Sequence, residues 1–341
     1  MPLTAFSPDA PSLAEHFNGR FRVGAAVNTW DLDPATDACR TIKKQFNILT
    51  LENESKPERI HPEEGRYEFD RFDRFAAFGQ ENGIALRGHT LVWHGQCPDW
   101  FFRDGEGDAS KELLLRRMED HIGTTVSRYR GRVGTWDVLN EVLQDGGGLR
   151  ESKWYRIAGR DYIPRAFFAA READPDARLV INDYNLESSE AKADSMIALV
   201  EEMLRDGVPV DAVGLQMHLR LFTDLELLKH NVRKIAELRR IDPAFRLEVT
   251  ELDMSCYKWE DHAEDVEWTE ALERAFCEKY TALFRFFTEL SEDGILDSVV
   301  FWGLNDGVSW LNGFPVRRRN YPLLIGREWA LKPAFYEVAK V

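Results

Sequence analysis

The sequence predicts an α/β protein of the (β/α)8 (TIM) barrel class, a single domain over residues 1–341. Three observations lead there. Eight short apolar runs recur along the chain, and stretches of helical period lie between them. The turn after the first run, AAVNTWDLDP, lacks the glycine-rich phosphate loop that opens a doubly wound sheet.

The runs are FRVGAAV (21–27), FNILTLEN (46–53), IALRGHTLVW (84–93), VGTWDVLNEV (133–142), RLVINDYN (178–185), DAVGLQMHL (211–219), RLEVTEL (246–252) and LDSVVFWGLND (296–306). Each is short and rich in β-branched or aromatic residues, as a strand buried on both faces requires. Between them, apolar residues step by three or four. Phe69, Phe72, Phe75 and Phe78 mark one helix, Leu225 to Leu238 a second, and Leu272 to Leu290 a third. Weaker periodicity covers 34–44, 111–130, 160–172 and 189–206, and Pro333 suits the first turn of a last helix near 333–340.

Composition narrows the function. A 44% apolar share supports a substantial core, and no run approaches the ~18 apolar residues of a membrane span. A net charge of −15 repels phosphate backbones, so neither nucleic acid nor membrane is an expected partner. The N-terminus has no basic or apolar leader pattern, so a cytoplasmic protein is expected, or a secreted one whose leader has been removed. Residues 1–12 read as a loosely held segment. The four cysteines have no CxxC spacing and read as reduced thiols, with a Cys256–Cys277 bridge as the alternative. Nothing points to an oligomeric state.

The seventh run poses a problem, because RLEVTELDM (246–254) carries Glu248, Glu251 and Asp253 where burial would make carboxylates costly. A barrel resolves it, since chemistry sits at the C-terminal ends of its strands. Those ends are polar throughout. They carry Glu52, Asn53, Glu54 and Lys56; His89, Trp93, His94 and Gln96; Asn140 and Glu141; Asn182, Asp183, Tyr184 and Asn185; Gln216 and His218; Glu251 and Asp253; and Trp302, Asn305 and Asp306, followed by Trp310. No HxH or HExxH pattern is present, so no metal or other cofactor is expected. Cys97 and Cys256 lack an adjacent base. Paired carboxylates among indoles and amides fit glycoside hydrolysis, in which one carboxyl protonates the leaving oxygen and another attacks the anomeric carbon. Glu141 and Glu251 end the fourth and seventh runs, on opposite sides of an eight-stranded ring.

The motifs LENESK (51–56), RGHTLVWHGQCPDWF (87–101), WDVLNEV (136–142), INDYN (181–185), GLQMHL (214–219), VTELD (249–253), FWGLNDGVSW (301–310) and LKPAFYEV (331–338) together resemble glycoside hydrolase family 10, the retaining endo-β-1,4-xylanases of clan A. The resemblance implies Glu141 as acid/base and Glu251 as nucleophile, with His218 orienting the latter. It implies Glu52, Asn53, Lys56, His89, Trp93 and Gln96 as the grip on the glycone side, and Asn140 and Gln216 as holders of hydroxyls near the reacting ring. Trp302 and Trp310 would wall that ring, and Tyr184 would approach the leaving group. The implied partner is xylan or xylooligosaccharides, and the family often has a cis bond at the position of His89–Thr90. Ser55, Pro57, Gly95 and Cys97 depart from the family pattern on the outer glycone side. The alternatives are another clan-A retaining glycosidase, acting on β-glucan, cellulose or mannan, and an inactive sugar-binding barrel. Among the remaining polar and aromatic residues, Asp253 and Glu54 read as supporting groups and His94 as either. Trp100, Trp136 and Trp154 read as packing. Arg317-Arg318-Arg319 reads as a solvated loop, with recognition of uronic acid side groups as the sharper alternative.

Overall fold

In the computed structural model, residues 2–258 and 265–341 are described. The apolar runs form β1 (Arg22–Val27), β2 (Ile48–Leu51), β3 (Ala85–Trp93), β4 (Thr135–Asn140), β5 (Arg178–Asp183), β6 (Ala212–Leu215), β7 (Arg246–Ser255) and β8 (Leu296–Phe301). Every neighbour pair is parallel, in sequence order, and β8 pairs with both β7 and β1. The first register, Arg22 opposite Ser298 and Ala25 opposite Phe301, closes the sheet into the expected barrel.

The amphipathic stretches form the outer layer: α1 (Asp37–Gln45), α2 (Asp70–Asn82), α3 (Lys111–Tyr129), α4 (Tyr162–Ala173), α5 (Glu190–Arg205), α6 (Leu225–Ala236), α7 (Glu270–Glu292) and α8 (Pro333–Val338). Side chains set several of their starts. Thr36 caps α1 by accepting from the amide of Cys39, and Ser110 and Thr269 do the same for α3 and α7. Gly83 ends α2 at φ 64°, a conformation that favours glycine. The phenylalanine ladder of α2 buries Phe72, Phe75 and Phe78. Trp136 and Trp154 are buried packing residues, and Trp100 packs against the core with its indole N–H on the carbonyl of His61.

Inside the barrel, below the mouth, lies a charged layer. Arg87 donates to both oxygens of Asp137 at 2.8 and 3.1 Å and to Glu248 at 2.9 Å. All three side chains are buried, so their charges rely on one another.

Three expectations change. The segment before Leu13 is tied down: Thr4 bridges Ala330, Ala5 is fully buried, and Gln45 donates to the carbonyls of Ala5 and Pro11. Met1, its first residue, lies outside the described residues. A buried amide on α1 needs acceptors, and this segment supplies them. The sixth run is not one strand. It breaks after Leu215, Met217 adopts φ 56°, and a short parallel stretch, His218–Arg220, pairs with the end of β7. Arg318 is buried against the ring of Tyr257 at 3.6 Å, while Arg317 and Arg319 are exposed, so the arginine run is not uniformly solvated. All four cysteines are free thiols. No helix among the described residues is long and apolar enough to cross a membrane.

Candidate active site

Every residue singled out at the strand ends as catalytic or substrate-binding lines one cavity of about 790 Å³ at the barrel mouth. Glu52, Asn53 and Lys56 reach it from the turn after β2, His89 and Trp93 from β3 and Gln96 from just beyond it, Asn140 from the end of β4 and Glu141 from the next position. Tyr184 follows β5, Gln216 and His218 follow β6, Glu251 lies on β7, and Trp302 and Trp310 follow β8. Backbone strain concentrates here. Gln96, Glu141, Asn185 and Met217 all have positive φ near the strand ends, a conformation that non-glycine residues adopt at a cost. The His89–Thr90 bond is cis, as the resemblance implied.

Glu251 is held at both oxygens. Oε1 accepts from Asn182 Nδ2 at 2.8 Å, and Oε2 lies 3.1 Å from His218 Nε2. The Asn182 amide is oriented in turn, because its Oδ1 accepts from Thr250 at 2.7 Å and its Nδ2 also donates to Asn140 at 2.9 Å. Gly214 makes room for it: a Cβ there would lie 2.4 Å from Asn182 Oδ1. On its other side, His218 Nδ1 lies 3.0 Å from Asp253 Oδ2, which also accepts from the indole of Trp310 at 2.8 Å.

This chain of contacts sets the charges. Burial disfavours a charged imidazole, but Asp253 and Glu251 outweigh it and push His218 up to about 10. At neutral pH both ring nitrogens therefore carry protons and donate, one to each carboxylate. Burial likewise favours the neutral form of Glu251, yet the His218 hydrogen bond and the neighbouring imidazoles hold its carboxyl below the ordinary range. Glu251 is an ionised carboxylate with its negative charge aimed into the cavity.

Glu141 is placed differently. Its Oε1 accepts from Gln216 Nε2 at 3.2 Å, and Oε2 lies 3.7 Å from His94 Nε2. Burial lowers the proton affinity of His94, partly opposed by Glu141 itself, so no imidazolium stands beside this carboxyl near neutral pH. Asn140 Oδ1 accepts from both Gln216 and Asn182, the amides that hold Glu141 and Glu251 respectively. One shared amide oxygen thus sits between the two carboxylate systems.

The wall that carries Lys56, Asn53, Gln96 and Trp93 is pre-assembled. Lys56 Nζ donates to Asn53 at 3.0 Å and Gln96 at 2.9 Å, and lies 4.8 Å from the centre of the Trp93 ring. Burial lowers the proton affinity of Lys56, and the carboxylates of Glu251, Glu52 and Glu141 oppose that. Asn28 donates to Glu52 at 3.1 Å. Glu54 binds the amide and hydroxyl of Thr29, so it supports the wall from below.

Sequence reasoning missed several contributors. Asp137 anchors His89 at 2.9 Å, and Lys192, on α5, pairs with Asp183 at 2.8 Å beneath Tyr184. Arg150 holds the loop after β4. The only signal for Asp137 was an acid inside an apolar strand, and for Lys192 and Arg150 there was none. Among the described residues, no group of three or more His, Cys, Asp or Glu side chains could hold a metal.

A closed parallel barrel whose mouth sets an ionised carboxylate against a second carboxyl, between amides and indoles, is the constellation of a glycoside hydrolase. The model of glycosyl hydrolase family 10 matches residues 12–341, and the chain belongs to that family. It is 42% identical over 97% of its length to endo-1,4-beta-xylanase C of Paenibacillus barcinonensis and spans 32% of that relative. A family 10 structure from the same organism superposes with a TM-score of 0.93 at 40% identity, covering 97% of each chain. An intracellular xylanase of Thermoanaerobacterium saccharolyticum, solved as a mutant with xylotriose, matches at a TM-score of 0.89 and 36% identity, covering 97% of this chain and 99% of its own.

Proposed function

We propose that the chain is a retaining endo-β-1,4-xylanase, cleaving xylan or xylooligosaccharides by double displacement. The observation that carries this reading is the unequal treatment of two carboxyls in one cavity: Glu251 is clamped by an imidazolium and an amide, whereas Glu141 meets the neutral amides of Gln216 and Asn140 and the His94 ring. In the first step Glu251 attacks the anomeric carbon, and Glu141 delivers a proton to the departing oxygen. In the second, Glu141 takes a proton from water, whose oxygen displaces Glu251 from the sugar. Stacking on Trp302 and Trp310, and hydroxyl contacts from Asn140, Gln216, His89 and Lys56, support placement of the reacting ring. Glu52, Asn53, Trp93 and Gln96 support the next sugar outward, and Tyr184 supports the leaving-group side.

The test is NMR of the first product from xylotetraose, together with reducing-sugar release from xylan, mannan and carboxymethylcellulose. The β-anomer and a preference for xylan are expected. An α-anomer, or near-normal activity in Glu251→Ala, refutes the mechanism. Faster release from mannan or cellulose refutes the substrate. The xylotriose complex and the name intracellular xylanase belong to a relative, and they support short oligosaccharides as this chain's substrate too.

A further inference from the structure

Glu141 is an unusual residue to find at φ 56°, because a non-glycine side chain in the left-handed region stays there only if its surroundings insist. Its amide donates to the carbonyl of Asn182 at 2.8 Å, which fixes one side of the peptide. The other side is fixed by a single cation. Arg150 Nε donates to the main-chain carbonyl of Glu141 at 2.9 Å, and one terminal nitrogen donates to the carbonyl of Leu143 and to the Tyr184 hydroxyl, at 2.8 and 2.9 Å. The amide of Arg150 returns to the carbonyl of Val142 at 2.8 Å. The loop 141–150 is thus closed on its own guanidinium. Arg150 touches neither carboxylate oxygen of Glu141 in these contacts. It acts on the backbone from which that carboxyl is hung.

We infer that Arg150 is a positioning residue for general acid catalysis: it holds Glu141 in its strained conformation so that the carboxyl meets the departing glycosidic oxygen, and through Tyr184 it couples that placement to the leaving-group sugar. The planar fork suits this task. Three acceptors lie around one guanidinium, and a lysine ammonium has no fixed geometry to satisfy them together. The inference rests on the assignment of Glu141 as the acid.

The test compares two substrates. Xylotetraose has a poor leaving group that needs a proton, whereas 2,4-dinitrophenyl β-xylobioside leaves as a stabilised phenolate and does not. In Arg150→Gln, kcat/KM for xylotetraose is expected to fall about 100-fold, the scale of a misplaced catalytic group, while that for the dinitrophenyl substrate falls less than about 3-fold. The loss should lie in kcat, and the alkaline limb of the xylotetraose pH profile should move. Arg150→Lys should recover part of it, and it decides the matter if the glutamine variant does not fold. Equal losses on both substrates, or a loss confined to KM, overturn the proposal. Glu141→Ala on the same pair separates the two readings. If that variant shows no leaving-group dependence, the acid assignment itself falls. If it does and the Arg150 variants do not, only the role of Arg150 falls.

Discussion

Replacing Asp253 by Asn tests how Glu251 is kept charged. Asp253 is fully buried, and its carboxylate is engaged by His218 and Trp310. Its carboxylate is the first of the attractions that lift His218 from 6.5 to about 10 against burial. That lift corresponds to about 5 kcal/mol in favour of the imidazolium, shared between Asp253 and Glu251. The asparagine keeps an acceptor for the Trp310 indole and for His218 but removes the charge, so burial then pulls the imidazole back toward its ordinary value. Once neutral, the ring gives up one of its two donated hydrogen bonds, and Glu251 loses its neighbouring cation. With 2,4-dinitrophenyl β-xylobioside, which masks the acid, the wild-type kcat/KM should be flat through pH 8. The variant should lose roughly 10-fold per pH unit above about pH 7. NMR of the His218 ring should show its titration moving down in parallel. An imidazole still protonated at pH 9 in the variant, or an unchanged profile, refutes this account. The stability consequence has a definite sign. A raised histidine stabilises the fold fully below 6.5, and that contribution disappears as pH rises through about 10. The difference in unfolding midpoint between the two proteins should therefore be large at pH 6 and shrink by pH 10.

Other outcomes follow from the same contacts. His61 and His121 face each other at 3.1 Å, buried, and burial lowers them to about 4 and about 3. Depressed histidines stabilise the fold above 6.5 and lose that contribution as pH falls, so long-range nitrogen spectra should show both rings neutral at pH 5, and the urea midpoint should drop between pH 6.5 and 4.5. A protonated ring at pH 5 contradicts this. Arg87→Met leaves Asp137 only the His89 ring and Glu248 only Arg178, 3.5 Å away, and should cost about 3–5 kcal/mol by urea denaturation; a loss below 1 kcal/mol would mean the layer carries little. Arg318 lines the cavity and its two neighbours in the arginine run do not, so Arg318→Ala should slow cleavage of glucuronoxylan fragments more than of plain xylooligosaccharides. Equal effects would end the uronic acid reading.

The barrel was legible because strands buried on both faces must be short and apolar, and helices of the outer layer must be amphipathic. All eight runs became strands, although the sixth was read as continuous. Its break at Met217 depends on backbone contacts to β5 and β7, such as Gln216 N–H to Asp183 and Glu251 N–H to Gln216, which no local pattern encodes. The polar strand ends were legible for the complementary reason: acids and amides closing an apolar run have nowhere to go but a mouth. What stayed hidden were residues whose role is set by three-dimensional proximity. Arg150 sits nine positions beyond Glu141 in a glycine-rich loop and looks like any surface arginine. Lys192 sits on an ordinary amphipathic helix. Arg318 is one of three identical neighbours, and only its packing on Tyr257 and its place on the cavity wall distinguish it.

The seam between β8 and β1 has a consequence for biogenesis. The first strand finds one of its two neighbours only when the eighth strand has emerged, so a growing chain carries open, unpaired edges until then. Helix hairpins can form early, but a pocket lined from the ends of β2 to β8 has no partial version. Ribosome-bound fragments ending before residue 296 should be inert and prone to associate, and catalysis should switch on in one step as the final strand docks.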